Sequence, residues 1–147
     1  MNMKAISPVI ATVIIVSVAI AIAVAVAFWM TGITGLFTRY EKLEIVTAYA
    51  DSNFNVYLTV RNTGTTSVTI DQVFINGIPA AEAHITSMVY DTETITDLNN
   101  IGIGLNPGDE VDITITLNST YYEHGQIIEV KLHTAAGNEY PKSVQLP

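Results

Sequence analysis

The sequence predicts an α+β chain: a long N-terminal hydrophobic α-helix followed by an antiparallel β-sandwich. Three observations carry that prediction. No Asp, Glu, Lys, Arg or His occurs from Ala5 to Thr38, and every acidic residue lies at or beyond Glu41. From about Leu43 the pattern changes to short runs that alternate apolar and polar residues. Turn residues recur between those runs at regular spacing. The division also explains the composition. A soluble domain rarely combines 147 residues with 49% hydrophobic content and a mean hydropathy of +0.37 unless the apolar residues are unevenly placed.

The helix comes first. Ala11-Thr12-Val13-Ile14-Ile15-Val16-Ser17-Val18 leads into an alternation of Ala with Val or Ile up to Ala27, and Phe28-Trp29-Met30 follows. Small and β-branched residues in alternation suggest a strand by period alone, but both classes are apolar and no face is polar. A run this long, uncharged and nearly free of turn residues reads as a buried or membrane-spanning helix. Pro8 suits the first turn, where its missing N–H costs nothing, and Ser7 before it suits the N-cap. From Ile6 to about Tyr40 the helix measures about 50 Å at 1.5 Å per residue, whereas a bilayer core is about 30 Å. The excess length needs burial by something besides lipid, and copies of the same helix can supply it.

Three readings of this segment compete. A cleaved secretory signal is opposed by the length of the run, against an ordinary apolar region of about 7–15 residues. A plain single-pass anchor would turn polar after about 20 residues. A polymerising helix accounts for the whole length. Ala11, Ala19, Ala23 and Ala27 stand four or eight residues apart and mark a face for close helix packing. Gly32 and Gly35 are the one soft spot. They lower helix propensity by about 1 kcal/mol each relative to Ala, so they suit a bend, a local opening or a close approach of backbones. Arg39-Tyr40-Glu41-Lys42 is the first charged cluster and marks the domain boundary.

Lys4-Ala5-Ile6-Ser7-Pro8-Val9-Ile10-Ala11-Thr12-Val13 resembles the processing site and helix start of archaeal type IV pilins, with related helices in archaellins. The resemblance covers about the first 40 residues. It implies a leader over 1–5, cut by a prepilin peptidase after Ala5 so that the mature chain begins at Ile6, with a cut after Lys4 as the near alternative. It further implies a polymerisation and transmembrane helix over 6–41 and an outward-facing domain over 42–147. Bacterial type IV pilins carry a Glu five residues into the mature chain. Here that position is Ile10.

The remainder divides into strands over Lys42–Ala50, Phe54–Asn62, Ser67–Asn76, Ile85–Tyr90, Glu110–Leu117, Gln126–Thr134 and Glu139–Leu146, with a short segment at Ile101–Leu105. Thr92–Asn100 reads as a polar loop. Asn62-Thr63-Gly64-Thr65 and Ala136-Gly137-Asn138 read as turns, Asn76-Gly77 favours a tight hairpin, and Asn106-Pro107-Gly108-Asp109 is a turn with Pro at its second position. Seven or eight short strands with no helical pattern make an antiparallel sandwich of roughly 100 residues. Val60-Arg61-Asn62-Thr63-Gly64 and Leu105-Asn106-Pro107-Gly108-Asp109 resemble Ig-like adhesion and CARDB-type domains, which implies an Ig-like β-sandwich.

Charge and motifs narrow the function. A formal net charge of −8 with only six Lys and Arg repels a phosphate backbone, so no nucleic-acid partner is expected. With no cysteine, disulfides, thiolate metal sites and cysteine nucleophiles are excluded. His84, His124 and His133 lack standard metal spacing, and Asp97, Asp109, Glu110 and Asp112 lack a calcium-loop spacing. Gly102-Ile103-Gly104 is too short to cradle phosphate and reads as a bulge. No nucleophile elbow or Walker loop occurs. No catalytic residue, cofactor, metal or small-molecule substrate is expected. Asn118-Ser119-Thr120 is an N-glycosylation sequon, and Tyr121-Tyr122 beside it suits core, subunit contact or adhesive surface. The expected role is a structural subunit of an archaeal type IV pilus-like adhesion filament, a homo-oligomer of identical subunits. Its partners would be the prepilin peptidase, the pilus assembly machinery and the membrane before assembly, and its final location the cell surface. An archaellin and a membrane-anchored extracellular binding module are the alternatives.

Overall fold

The structure is a computed structural model that describes residues 8–37 and 39–147. It consists of two units, one reaching Arg39 and one running from Tyr40 to Pro147. Ser7, Lys4, Ala5 and Ile6 lie outside the described residues.

The first unit is one helix, α1, over Pro8–Phe37. It is about 45 Å long at the standard rise. Its few polar side chains bond back onto their own turn. Thr12 Oγ1 donates to Val9 O at 2.8 Å, Ser17 Oγ to Val13 O at 2.7 Å, Thr31 Oγ1 to Ala27 O at 2.7 Å and Thr34 Oγ1 to Met30 O at 2.8 Å. Each hydroxyl proton is therefore spent inside the helix, which keeps the surface apolar.

The second unit packs two antiparallel sheets. Its strands are β1 (Leu43–Ala50), β2 (Asn55–Asn62), β3 (Val68–Ile75), β4 (Ile78–Pro79), β5 (Ile85–Tyr90), β6 (Glu93–Ile95), β7 (Ile103–Leu105), β8 (Glu110–Leu117), β9 (Ile127–Thr134) and β10 (Glu139–Gln145). One sheet has the order β1-β2-β8-β5-β6. The other has β10-β9-β3-β4, with β7 also paired to β3. Strict alternation makes this possible. In β8, Val111, Ile113, Ile115 and Leu117 point inward while Glu110 and Asp112 face solvent. Val56, Leu58 and Val60 of β2 meet Ile70, Val73 and Ile75 of β3 and Ile128, Val130 and Leu132 of β9 in one core.

Two strands exceed the sequence expectation. Asn76 and Gly77 both take left-handed φ, 52° and 79°, which closes a two-residue turn and folds Ile78–Pro79 back onto β3 as β4. Within the expected loop 92–100, Glu93–Ile95 pairs with β5 as β6. Its residues are too few and too polar for periodicity to register. Gly102 corrects another expectation. At φ 68° it turns the chain into a regular β7 rather than marking a bulge.

Register shifts occur elsewhere, in β3 between Ile70 and Gln72, in β5 between Ile85 and Ser87, and in β1. The β1–β2 register shifts between Ile45 and Thr47. Leu43 and Ile45 point toward the core before it, and Ala48 and Ala50 after it, so Thr47 and Tyr49 come to the outer face. Pro141 sits in β10, the edge strand of its sheet, where a missing N–H is tolerated.

Candidate functional site: the apolar helix and the neck

The sequence-predicted residues for assembly lie on α1. Ala19, Ala23 and Ala27 advance about 40° per step around a helix with 3.6 residues per turn, and Ala11 lies about 80° before Ala19. They form an inclined row, the kind of ridge that fits the groove of another helix, rather than a straight stripe. The row is flanked on every side by larger apolar residues. Phe28 is 77% exposed, Trp29 69% and Val9 68%. The span Pro8–Gly35 is long and apolar enough to cross a membrane. Gly32 and Gly35 lie within the continuous helix, and nothing comes within 4 Å of a Cβ placed on either. Open space at both leaves room for another backbone to approach.

Tyr40–Lys42, expected to belong partly to the helix, belong to the sandwich unit, where they form its first clamped segment. Tyr40 N donates to Thr65 Oγ1 at 3.0 Å, and Tyr40 O accepts from Thr65 N at 3.0 Å. Lys42 O accepts from Thr63 N at 2.9 Å and Gly64 N at 3.1 Å. A Cβ on Gly64 would lie 2.7 Å from both Lys42 N and Tyr40 O, so only glycine lets the two backbones meet. Glu41 Oε1 accepts from Thr134 Oγ1 at 2.5 Å, which ties the same segment to the end of β9.

Asn62 holds this clamp together. It is 1% exposed, and each of its hydrogen-bonding groups has a partner. Nδ2 donates to Thr66 O at 2.8 Å and Leu105 O at 3.0 Å, while Oδ1 accepts from Gly64 N at 2.9 Å. Its N donates to Asp109 O, and its O accepts from Gly108 N. A buried amide with every group satisfied specifies one loop geometry. Sequence reading found a turn at Asn62-Thr63-Gly64 but not this role. The Asn-x-Gly spacing was the available signal.

The glycosylation candidate, Asn118, is half-buried just after β8. Its Oδ1 accepts from Thr120 N at 3.0 Å and its N donates to His84 O at 3.0 Å, with Ser119 and Thr120 exposed. The neighbouring tyrosines divide. Tyr122 is buried and donates to Ala83 O at 2.5 Å, and burial raises its hydroxyl pKa. Tyr121 is 58% exposed and stacks on His84 with ring centroids 3.7 Å apart. His124 Nδ1 lies 2.6 Å from Pro147 O, and His133 Nδ1 2.7 Å from Asp71 Oδ1. Asp109 Oδ2 accepts from Asn106 N at 2.9 Å and so fixes its own turn. Among the described residues, no three His, Asp or Glu side chains gather where a metal could be held.

A second feature escaped the sequence reading. On the outer face of β1, β2 and β8, two rungs lie side by side. Tyr49 opposes Tyr57, which opposes Thr114. Thr47 opposes Thr59, which opposes Asp112. The tyrosine rings stack with centroids 5.0 Å apart and planes 21° apart. Thr47 Oγ1 donates to Thr59 Oγ1 and Thr59 Oγ1 to Asp112 Oδ1, both at 2.8 Å. The bulge in β1 was invisible to a period-2 reading, and without it Tyr49 would not face outward.

No family model and no curated protein matches the chain. Solved structures do. The archaellum periplasmic stator protein FlaG from Sulfolobus acidocaldarius aligns at 20% identity with a TM-score of 0.50, covering 71% of this chain and 99% of that one. The archaellum periplasmic stator protein complex FlaF and FlaG from the same organism aligns at 22% identity and a TM-score of 0.45, covering 69% and 86%. The archaeal flagellum of Methanospirillum hungatei strain JF1 aligns at 18% identity and a TM-score of 0.48, covering 94% and 88%. The likeness is one of fold: over 71% of its length this chain shares the architecture of the archaellum stator protein, and it also carries an apolar N-terminal helix.

Proposed function

We propose that this chain is the structural subunit of an archaeal type IV pilus-like filament, held together by packing of α1 against copies of itself. The observation that carries the proposal is the bare apolar helix. Over residues 8–35 it presents apolar side chains outward all round, and Val9, Ile15, Phe28, Trp29 and Met30 are each more than 60% exposed. Water tolerates such a surface poorly. Burying one large side chain stabilises by about 1.5–3 kcal/mol.

Lipid covers part of the length. At a common tilt of about 20° the helix still extends about 42 Å along the normal against a core of about 30 Å. Inside the bilayer, lipid and helix are equally apolar and association is weak. Outside it the balance reverses, and the helices remain packed. A contact repeated head to tail without closing generates a helical filament. In this reading the leader is cut between Ala5 and Ile6 by a prepilin peptidase, the membrane holds the subunit before assembly, and the sandwich faces outward. Asn118 is the acceptor for sugar.

A second reading rests on the shared fold with the archaellum periplasmic stator. There the helix would remain an anchor and the sandwich would act just outside the membrane. Negative-stain microscopy of sheared surface material, combined with N-terminal sequencing, separates the two. Filaments whose subunits begin at Ile6 support the pilus reading. Subunits that stay in the membrane fraction without fibres support the anchor. Mass spectrometry of the same material reads the occupancy of Asn118, and rotation of tethered cells identifies a motility filament.

A further inference from the structure

The paired rungs on the outer face of β1, β2 and β8 enclose a shallow cavity of about 290 Å³. Its lining combines two kinds of surface. Tyr49 and Tyr57 supply a flat aromatic platform, of which Tyr49 is 57% exposed. Thr59, Thr114 and Asp112 supply hydroxyls and a carboxylate. The hydroxyl relay from Thr47 through Thr59 ends on Asp112 Oδ1. No bond to Asp112 Oδ2 is seen among the described residues, so that oxygen is open to a ligand. The platform is held from one end. Asp51 Oδ2 accepts from the Tyr57 hydroxyl at 3.2 Å and from Asn55 Nδ2 at 3.0 Å.

We propose that this cleft binds a neutral saccharide, with one pyranose ring laid against the Tyr49–Tyr57 platform and its hydroxyls bonded to Asp112 and Thr114. A sugar ring has an apolar C–H face and a rim of hydroxyls, which matches an aromatic surface beside polar acceptors. A carboxylate makes strong charge-assisted bonds to hydroxyl donors. Charge argues for neutrality. The nearest outward cation on β2, Arg61, stands between Glu44 and Glu110 in the register, so its charge is opposed on both sides. An anionic ligand would meet Asp112 with no unopposed cation beside it. The β1 bulge supports a built site, since bulges re-aim side chains where function needs them.

The site does not depend on polymerisation, so it is tested on single full-length chains in alkyl-phosphocholine micelles, whose headgroup contains no sugar. Saturation-transfer NMR is recorded with methyl glucoside, methyl galactoside and methyl mannoside, with N-acetylneuraminic acid as the anionic comparison. Transfer to the ring C–H protons of at least one neutral glycoside is expected, and none to the acid. Tyr49→Ala and Asp112→Ala should each weaken binding at least tenfold. Tyr49→Phe and Tyr121→Ala should leave it within twofold. Unfolding midpoints of all four variants establish that each is folded. Beads bearing the same sugars as glycoprotein glycans, run beside the free glycosides, separate a surface glycan from a free sugar. Absence of transfer from all three neutral glycosides overturns the proposal, as does undiminished transfer in the folded Tyr49→Ala variant.

Discussion

The helix and the sandwich use the same residues for opposite ends. Val and Ile are abundant in both. In the sandwich, Val56, Val60, Ile70, Ile113 and Ile128 are fully buried by the opposing sheet. In α1, Val13, Ile14, Ile20 and Ile22 remain more than half exposed. The difference lies in patterning. The strands alternate with Asp, Glu, Thr and Lys, so each has a wet face and a dry face and one chain can satisfy both. The helix has no polar face, so no single contact can satisfy it. A surface apolar on every side requires either lipid or several neighbours. The sandwich is therefore complete within one chain, whereas the helix is half of an interaction.

The sharpest way to break that comparison is to place a charge in the helix. Ala19→Asp or Ala23→Asp puts a carboxylate in the middle of α1, where it costs about 2.5–3.5 kcal/mol in an apolar surround. Because the cost repeats in every subunit, filaments should disappear from electron micrographs. The sandwich should unfold at an unchanged temperature. Normal filaments from both variants would count against assembly through α1.

The reciprocal change is made in the sandwich. Ile113 is fully buried at the centre of the core. Ile113→Ala should cost about 2–5 kcal/mol of sandwich stability, read as a lower denaturant midpoint. Membrane insertion should be unaffected, because the uncharged span is unaltered. If insertion fell in parallel with sandwich stability, the two units would not be independent.

How much of this was legible in the sequence follows the same division. The helix announced itself by the absence of charge from Ala5 to Thr38, a signal no loop or strand imitates. Long alternating runs such as β8 were equally clear. What escaped was whatever depends on non-local partners. β6 is three residues long and exists because β5 lies beside it. The β1 bulge exists because two residues oppose one on β2, which no single-strand pattern encodes. Asn62 looked like one more turn residue. Its importance lies in Thr66 and in Leu105, 43 positions away, whose carbonyls it caps.

The neck sharpens the comparison where the sandwich begins. Gly64→Ala drives a methyl group to 2.7 Å from Lys42 N and Tyr40 O. Both are backbone atoms, so the clamp must open to admit it, at about 1–3 kcal/mol for an overpacked contact. Amide exchange at Thr63, Gly64 and Thr65 should accelerate while the β8 and β9 amides stay protected. Gly32→Ala is the control. Its added methyl meets nothing, and helix propensity favours Ala by about 1 kcal/mol. Slow exchange persisting at Thr63–Thr65 in Gly64→Ala would show that Tyr40–Lys42 do not depend on that close approach.

The smallest expected effect concerns Asp51, which supports the Tyr57 end of the platform. Its pKa is lowered from 3.8, chiefly by the bond from the Asn55 side chain and then by the Asn55 backbone N–H, with burial opposing them. A carboxylate depressed in the folded state contributes stability that is fully present above its unfolded value of 3.8 and is lost as pH falls through the lower folded value. Tyr57 behaves oppositely. Burial first, and the bond to Asp51 second, raise its pKa from 10.0, so its contribution is lost as pH rises beyond 10.0. Asp51→Asn should therefore lower the unfolding midpoint at pH 7 by a few degrees or less, and that difference should begin to shrink as pH falls below 3.8 and disappear once pH is below the lower folded value. A difference constant from pH 7 down to pH 2 would mean that Asp51 holds the loop by shape rather than by its charge. The platform would then keep its geometry in acid.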